Sequence, residues 1–364
     1  IGFTIGLATI SRPTEAIMIF IPFLWGTQNK EAKQEKWKKV KKFKIHIIYT
    51  IIFGLIGVLP QLLYWKITSG SFVYNVGSKW FFLNPWFRVL FGFGNGWFIY
   101  TPITLFFVLG FLYLKKFPFK RSVITFCLLN IWIVVAWSDY KYGATYSTRA
   151  MVQSYPVFAL AFGAFIHQIE LKKWKYLFYV LGLYLIGVNL FQIGQYNTTV
   201  LHYRDMNAAY YSKIYLNSDP SPLDMSLLDT DEIITDESDF KTIVIAKSNY
   251  KQKLKIKGYS PYIIEDIELE KNKNSWIKIE AELEATSGYE NAKIHGKIVQ
   301  GEKVKEPTFR VKTPIANEGA YNKYEFYLKI PDSKENTRLI FMITALQNFN
   351  TYLKSYKITY LVEQ

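Results

Sequence analysis

Long apolar runs alternate with charged loops through the first half of the chain, and near Asn197 the hydrophobic period shortens to two. Residues 45–65, 97–114, 122–138, 150–167 and 176–194 each carry little or no charge, and each is long enough to cross a ~30 Å hydrocarbon core as a helix. Two shorter apolar runs, 1–10 and 14–26, flank Ser11-Arg12-Pro13-Thr14-Glu15. Proline disfavours helix at the residue before it and suits the first turn of the next, so Pro13 ends one helix, starts another, or does both. Residues 1–196 therefore read as a polytopic α-helical membrane domain of six to seven hydrophobic segments. Since the chain opens on Ile1, further spans are expected upstream.

Residues 197–234 read as a linker, helical around 203–216, with a turn-rich boundary at Asp219-Pro220-Ser221-Pro222. The acidic stretch 229–239 is expected to be a surface loop. From Lys241 onward, alternation dominates: Ile277, Ile279, Ala281 and Leu283 interleave with Lys278, Glu280 and Glu282. Residues 324–330 and 356–362 repeat the pattern, and 338–346 is continuously apolar, as a central strand would be. Turn signals at 272–274, Ser287-Gly288, Glu318-Gly319 and Asp332-Ser333 separate these runs. Residues 235–364 are thus expected to form an all-β antiparallel sandwich, jelly-roll-like.

Lysine placement orients the membrane half. Lys30, Lys33, Lys36, Lys38, Lys39, Lys41, Lys42 and Lys44 form one cluster, Lys115, Lys116, Lys120 and Arg121 a second, and Lys172, Lys173 and Lys175 a third. If all five long runs span, the three clusters share one side, which is then cytoplasmic, and the sandwich is exoplasmic. The loop 67–96 is rich in Phe, Tyr and Trp, the residues of membrane interfaces, and an interfacial helix is expected over 85–91. The formal charge of +15 would suggest nucleic acid in a soluble protein, but here the lysines lie mainly in short loops, which excludes that class. Gly92, Gly94 and Gly96 follow no strand and form no phosphate loop.

Arginine beside hydrocarbon is costly, which singles out Arg12 and Arg149. A guanidinium there can grip a lipid-linked phosphate through two parallel hydrogen bonds, which lysine cannot. The structural alternatives are snorkelling, or ion pairs Arg149–Asp139 and Arg12–Glu15. Asp139 is the best-placed acid, as a base or metal ligand, against the alternative of a solvated loop carboxylate. His46, His167, His202 and His295 are scattered, and Cys127 is the single cysteine, so no metal site is assembled from them. No cofactor is identified, and nothing in the spacing specifies a divalent metal.

At this point the chain resembles a known family. Gly6-Leu7-Ala8-Thr9-Ile10-Ser11-Arg12-Pro13-Thr14 is similar to the Gly-Leu-Ala…Arg-Pro-Thr segment of bacterial GT-C glycosyltransferases, in the branch related to protein O-mannosyltransferases. Pro60 through Trp65, Phe82-Leu83-Asn84-Pro85, Val89-Leu90-Phe91 and Gly96-Trp97-Phe98-Ile99-Tyr100-Thr101-Pro102 resemble a stretch of the same group. Gly143 through Arg149 resembles its Gly-x-Ser-Phe-Gly-x-Arg loop, with Thr145, Tyr146 and Ser147 in place of serine, phenylalanine and glycine. The likeness covers residues 1–195. It implies an inverting transferase in a bacterial inner membrane, moving a sugar from a polyprenyl-phosphate donor to a lipid, glycan or protein acceptor at the exoplasmic face. It also implies that Arg12 and Arg149 bind the donor phosphate, that Asp139, Tyr146 and Tyr100 line the site, and that the acidic general base lies upstream of Ile1.

A second function class is a non-enzymatic membrane anchor whose sandwich binds glycan or protein. Trp276, Tyr259, Tyr262 and Tyr289 would serve it, though core packing accounts for each equally well. A transporter is disfavoured because no span carries an interior charge pair.

Overall fold

The structure, a computed structural model, describes residues 1–364 apart from 75, 76, 78, 82–85, 140, 144, 271–273, 287, 289, 290, 314–316, 334 and 347–349. It divides into two units, Ile1–Asn189 and Leu190–Gln364.

In the first unit α1 (Gly2–Ser11) stops before Pro13, which opens a 3-10 helix, Pro13–Ile19, running on into α2 (Phe20–Leu24). Pro13 therefore does both things expected of it. There follow α3 (Lys30–Lys42), α4 (Lys44–Ser69), α5 (Trp86–Phe91), α6 (Trp97–Tyr100), α7 (Leu105–Leu109), α8 (Lys120–Val135), α9 (Tyr155–Glu170) and α10 (Lys175–Asn197). A helix, α5, forms over the segment expected to be interfacial, while Pro85 lies outside the described residues.

Among the described residues three helices are long and apolar enough to cross a membrane: Lys44–Ser69, Arg149–Glu170 and Lys175–Asn197. Only 6% of the apolar window of α4 is buried, so residues such as Ile51, Phe53 and Leu55 face outward. The runs 97–114 and 122–138 differ from expectation. The first is not one helix: Thr101 leaves helical geometry (φ −138°, ψ 62°) ahead of Pro102, and short segments follow at Pro102–Thr104, α7 and Gly110–Lys116. Proline lacks the amide hydrogen a continuous helix needs there. The second is α8, which has 16 residues.

Close helix contact depends on missing side chains. A Cβ on Gly6 of α1 would lie 2.4 Å from the Gly54 carbonyl oxygen of α4, and one on Gly57 would lie 2.9 Å from that of Phe3. This small-residue contact lets two backbones touch, the usual means of packing helices where lipid removes the hydrophobic drive. Trp97, Phe107, Leu114, Phe126, Met151 and Phe158 fill the buried core among the later helices.

In the second unit, α11 (Ala208–Ile214) and α12 (Pro222–Ser226) precede two antiparallel sheets. The strands are β1 (Phe240–Ile256), β2 (Tyr262–Leu269), β3 (Ser275–Ala285), β4 (Ala292–Gln300), β5 (Lys303–Lys305), β6 (Thr308–Arg310), β7 (Tyr321–Lys329), β8 (Thr337–Ala345) and β9 (Thr351–Glu363). The sheet orders are β1-β9-β3-β7 and β2-β8-β4-β5, with β6 also on β4. Leaving β6 aside, that alternation between sheets is the strand order of a jelly roll. The apolar run 338–346 is β8, which lies between β2 and β4 as a central strand. Buried and half-buried residues alternate along all of β3, and Ile277, Ile279, Ile294, Phe326, Phe341 and Ile358 share one core. Each fully buried side chain of this kind contributes roughly 1.5–3 kcal/mol. On the outer face Glu282 and Glu280 pair with Lys354 (2.9 Å) and Lys357 (3.2 Å) across the β3–β9 ladder.

The segment before the sheets is tied down, and part of the acidic stretch is not a surface loop. The Asp229 side chain is 5% exposed and receives Arg310 Nε at 2.6 Å and Lys312 Nζ at 3.2 Å. Arg310 also meets Asp205 at 2.9 Å, and Lys312 donates to the Met225 carbonyl. His202 Nδ1 accepts the amides of Arg204 and Asp205 at 3.0 and 2.8 Å. Burial, reinforced by Arg310, pushes the His202 imidazole down to about 4, and burial pushes the Lys312 ammonium down to about 8 against the pull of Asp229. Two cations on one buried carboxylate explain why an acidic residue is held inside.

Candidate functional site

Arg12 is the C-cap of α1 in extended conformation (φ −149°, ψ 119°). Its Nη1 donates to Gln153 Oε1 at 2.5 Å, and Gln153 Nε2 donates to Glu15 Oε1 at 2.7 Å. Among the described residues Arg12 therefore reaches Glu15 through Gln153 rather than by the direct ion pair considered from the sequence. Gln153 stands four residues beyond Arg149 on the 3-10 helix Arg149–Ser154, so this relay joins segments 141 positions apart. Glu15 is only 7% exposed, and its Oε2 has no hydrogen-bond partner among the described residues. A buried polar atom left unpartnered costs about 1–3 kcal/mol, so such an atom in a folded protein needs a reason.

The loop leading to Arg149 is fixed by neighbours far away in sequence. Asn95 Nδ2 donates to the Lys141 carbonyl at 2.7 Å, and Thr148 Oγ1 donates to the carbonyls of Val89 and Asn95 at 3.1 and 2.8 Å. Tyr142 rests on Trp137 with ring centroids 4.5 Å apart and donates its hydroxyl to the Val134 carbonyl at 2.6 Å. Burial raises the Tyr142 phenol above its ordinary range, Arg12 opposes the rise and Asp139 adds to it, so both charges act on this ring. Ser147, which stands where the resembling family has glycine, sits at φ 54°, in the region that favours glycine.

Of the remaining sequence-derived residues, the fold brings Tyr100 and Tyr146 together. Asp139 is exposed, and so is Arg149. Tyr100 is 1% exposed and gives its hydroxyl to the Phe93 carbonyl, so it braces the loop from within. Tyr146 donates to the Tyr100 carbonyl at 2.8 Å and receives Asn189 Nδ2 at 2.9 Å. Tyr259 and Tyr262 are 65% and 44% exposed, Trp276 is half-buried with Lys329 over its ring, and Tyr289 lies outside the described residues. Among the described residues no three or more His, Cys, Asp or Glu side chains gather to hold a metal. Sequence reasoning named Glu15 only as a direct ion-pair partner of Arg12 and did not single out Gln153. A single acid in an otherwise apolar run was a usable signal for Glu15, whereas uncharged Gln153 offered none.

In the second unit a groove of about 270 Å³ is lined by Lys247, Asn249, Glu280, Lys323, Glu325 and Lys357, among others. Its charges are balanced locally, with Glu280 on Lys357 at 3.2 Å and Glu325 on Lys278 at 3.0 Å.

No protein-family model matches the chain, and no curated protein matches it. Among solved structures, the chain is similar to a Family 16 carbohydrate-binding module-2, at 11% identity over 29% of this chain and 74% of that one, with a TM-score of 0.21. It is similar to TmCBM61 in complex with β-1,4-galactotriose, at 10% identity over 35% of this chain and 90% of that one, with a TM-score of 0.21. It is also similar to the VP2 subviral particle of infectious bursal disease virus, at 16% identity over 34% of this chain and 32% of that one, with a TM-score of 0.23.

Proposed function

We propose that this chain is a bacterial inner-membrane glycosyltransferase that takes a sugar from a polyprenyl-phosphate donor at the exoplasmic face. The observation that carries the reading is the Arg12–Gln153–Glu15 relay, which ties Arg12, in the first segment resembling the GT-C family, to the 3-10 helix that begins at Arg149, the last residue of the second. In the reaction an acceptor hydroxyl bonds to the anomeric carbon and gives its proton to the carboxylate general base that the resemblance implies, while the carbon–oxygen bond to phosphate breaks and the phosphate keeps the electron pair. Arg12 stabilises the charge that grows on the leaving phosphate, and Arg149 contacts the same group from the exposed loop end. Glu15 Oε2 accepts a hydroxyl of the bound sugar, which satisfies the unpartnered atom. In this reading the lysine clusters at 30–44 and 172–175 face the cytoplasm and the jelly roll is exoplasmic.

The test is transfer of labelled sugar from a polyprenyl-phosphate donor by the full-length protein, with membrane insertion checked in parallel. Losing a charge-assisted hydrogen bond is worth about 1.5–3 kcal/mol, so Arg12→Ala should slow transfer roughly ten- to a hundred-fold. Arg149→Lys should lose less than Arg149→Ala, since charge remains while the two-point geometry goes. Wild-type turnover in well-inserted Arg12→Ala and Arg149→Ala proteins defeats the reading.

A second reading, a membrane anchor whose jelly roll binds glycan, is favoured by two features of the second unit. Its groove has internally balanced charges, which suits a neutral polyhydroxylated ligand, and Tyr259 and Tyr262 offer exposed aromatic faces. Glycan binding by residues 198–364 without any sugar transfer by the full-length protein would favour it over the enzyme.

A further inference from the structure

Helix α3 carries a lysine face that neither the proposed chemistry nor the fold uses. At 3.6 residues per turn, its positions sort into three faces. Ala32, Lys36 and Val40 lie on one side and are half-buried. Lys36 Nζ there donates to the carbonyls of Pro22 (2.7 Å), Phe23 (2.9 Å) and Trp25 (2.5 Å), closing the open end of α2. Glu31, Glu35, Lys39 and Lys42 form a second face, where Glu35 and Lys39 pair at 2.6 Å. Lys30, Lys33, Gln34, Trp37, Lys38 and Lys41 form the third and line a shallow groove. Both acids of the helix are on the second face, so the third carries lysine charge with none opposing it.

The same end of the unit is aromatic. Trp37 packs edge-on against Phe23 with centroids 5.4 Å apart, and Phe23, Trp25 and Phe43 are 50%, 43% and 48% exposed. One residue beyond Phe43, Lys44 begins the 26-residue apolar helix α4, whose surface is almost wholly uncovered. Lysines directly beside a spanning helix, with tryptophan among them, match the chemistry of an anionic bilayer surface.

We infer that the Lys30–Lys33–Lys38–Lys41 face of α3 docks on the anionic lipid headgroups of the membrane in which α4 sits, with Trp37 at the headgroup boundary. The inference rests on the membrane reading of the first unit, and it is independent of sugar transfer.

The test uses the full chain in nanodiscs of phosphatidylcholine with or without phosphatidylglycerol, reading phosphatidylglycerol retained by native mass spectrometry and amide exchange over residues 30–42. Wild type should retain phosphatidylglycerol in preference to phosphatidylcholine, protect residues 30–42 only in its presence, and lose both effects in 1 M salt, where screening reaches ~3 Å. The variant K30Q/K33Q/K38Q/K41Q should lose about fivefold in phosphatidylglycerol affinity per lysine, corresponding to ~1 kcal/mol each. K39Q/K42Q, on the second face, should change it little. Equal retention by wild type and the fourfold variant, or an equal loss in K39Q/K42Q, overturns the inference while leaving the membrane reading intact. A wild-type protein that does not enter nanodiscs overturns both.

Discussion

Four helical glycines should respond to the same mutation with different signs. A Cβ placed on Gly6 meets the Gly54 carbonyl oxygen at 2.4 Å, about 1 Å inside ordinary contact, and the obstacle is backbone that cannot rotate away. For Gly6→Ala, α1 and α4 must part, and overpacking of this kind costs about 1–3 kcal/mol. At Gly54 the nearest atom is the Gly2 carbonyl oxygen at 3.4 Å, so Gly54→Ala should be close to neutral. At Gly163 and Gly182 nothing lies within 4 Å, and alanine there should gain up to ~1 kcal/mol from helix propensity alone. Because α1 ends at Ser11 and its cap, Arg12, makes the 2.5 Å bond to Gln153, parting α1 from α4 should also disturb that bond. Thermal unfolding of the four alanine variants in detergent, followed by size-exclusion retention, reads the stabilities, and sugar transfer reads the consequence. Gly6→Ala protein as heat-resistant as Gly163→Ala protein would refute the close-contact argument.

Two further expectations concern the second unit and can be measured by urea unfolding of residues 198–364. Asp229→Ala leaves Arg310 and Lys312 without their shared buried carboxylate and should cost about 3–5 kcal/mol, whereas Asp231→Ala, at an exposed position, should cost little. The depressed His202 pKa means the unfolded chain binds the extra proton between pH 6.5 and about 4. The His202 contribution to stability should therefore be complete above pH 6.5 and be lost at about 1.4 kcal/mol per pH unit from there down to about pH 4. Since burial depresses His295 as well, the comparison is His202→Gln against a His295→Gln background, and an unchanged acid slope would contradict the assignment.

The strands were legible because each buries one face, so Ile277, Ile279 and Leu283 mark β3 by alternation alone. The pairing of β3 with both β7 and β9 was not, since sheet order is set by packing among residues distant in the chain. Length and apolarity were enough to mark α4 and α10. The same criteria overran Thr101-Pro102, where a missing amide hydrogen breaks the helix despite an unbroken apolar run. Acidity pointed the wrong way at Asp229, because its partner Arg310 lies 81 positions away and no local pattern reports it. Arg12 stood out by its cost beside hydrocarbon. Its partner in the fold is Gln153, a neutral residue 141 positions away, which only the folded chain brings to it.

The central claim is that the Arg12–Gln153–Glu15 relay holds a polyprenyl-phosphate sugar, and photo-crosslinking tests it most directly. A polyprenyl-phosphate sugar bearing a diazirine near the phosphate, bound to the full-length protein in membranes, should label peptides containing residues 12–15 and 139–153. Excess unlabelled donor should suppress that labelling, and Arg12→Ala should weaken it roughly ten- to a hundred-fold. Labelling confined to the outward face of α4, or unchanged in Arg12→Ala protein, would contradict the account.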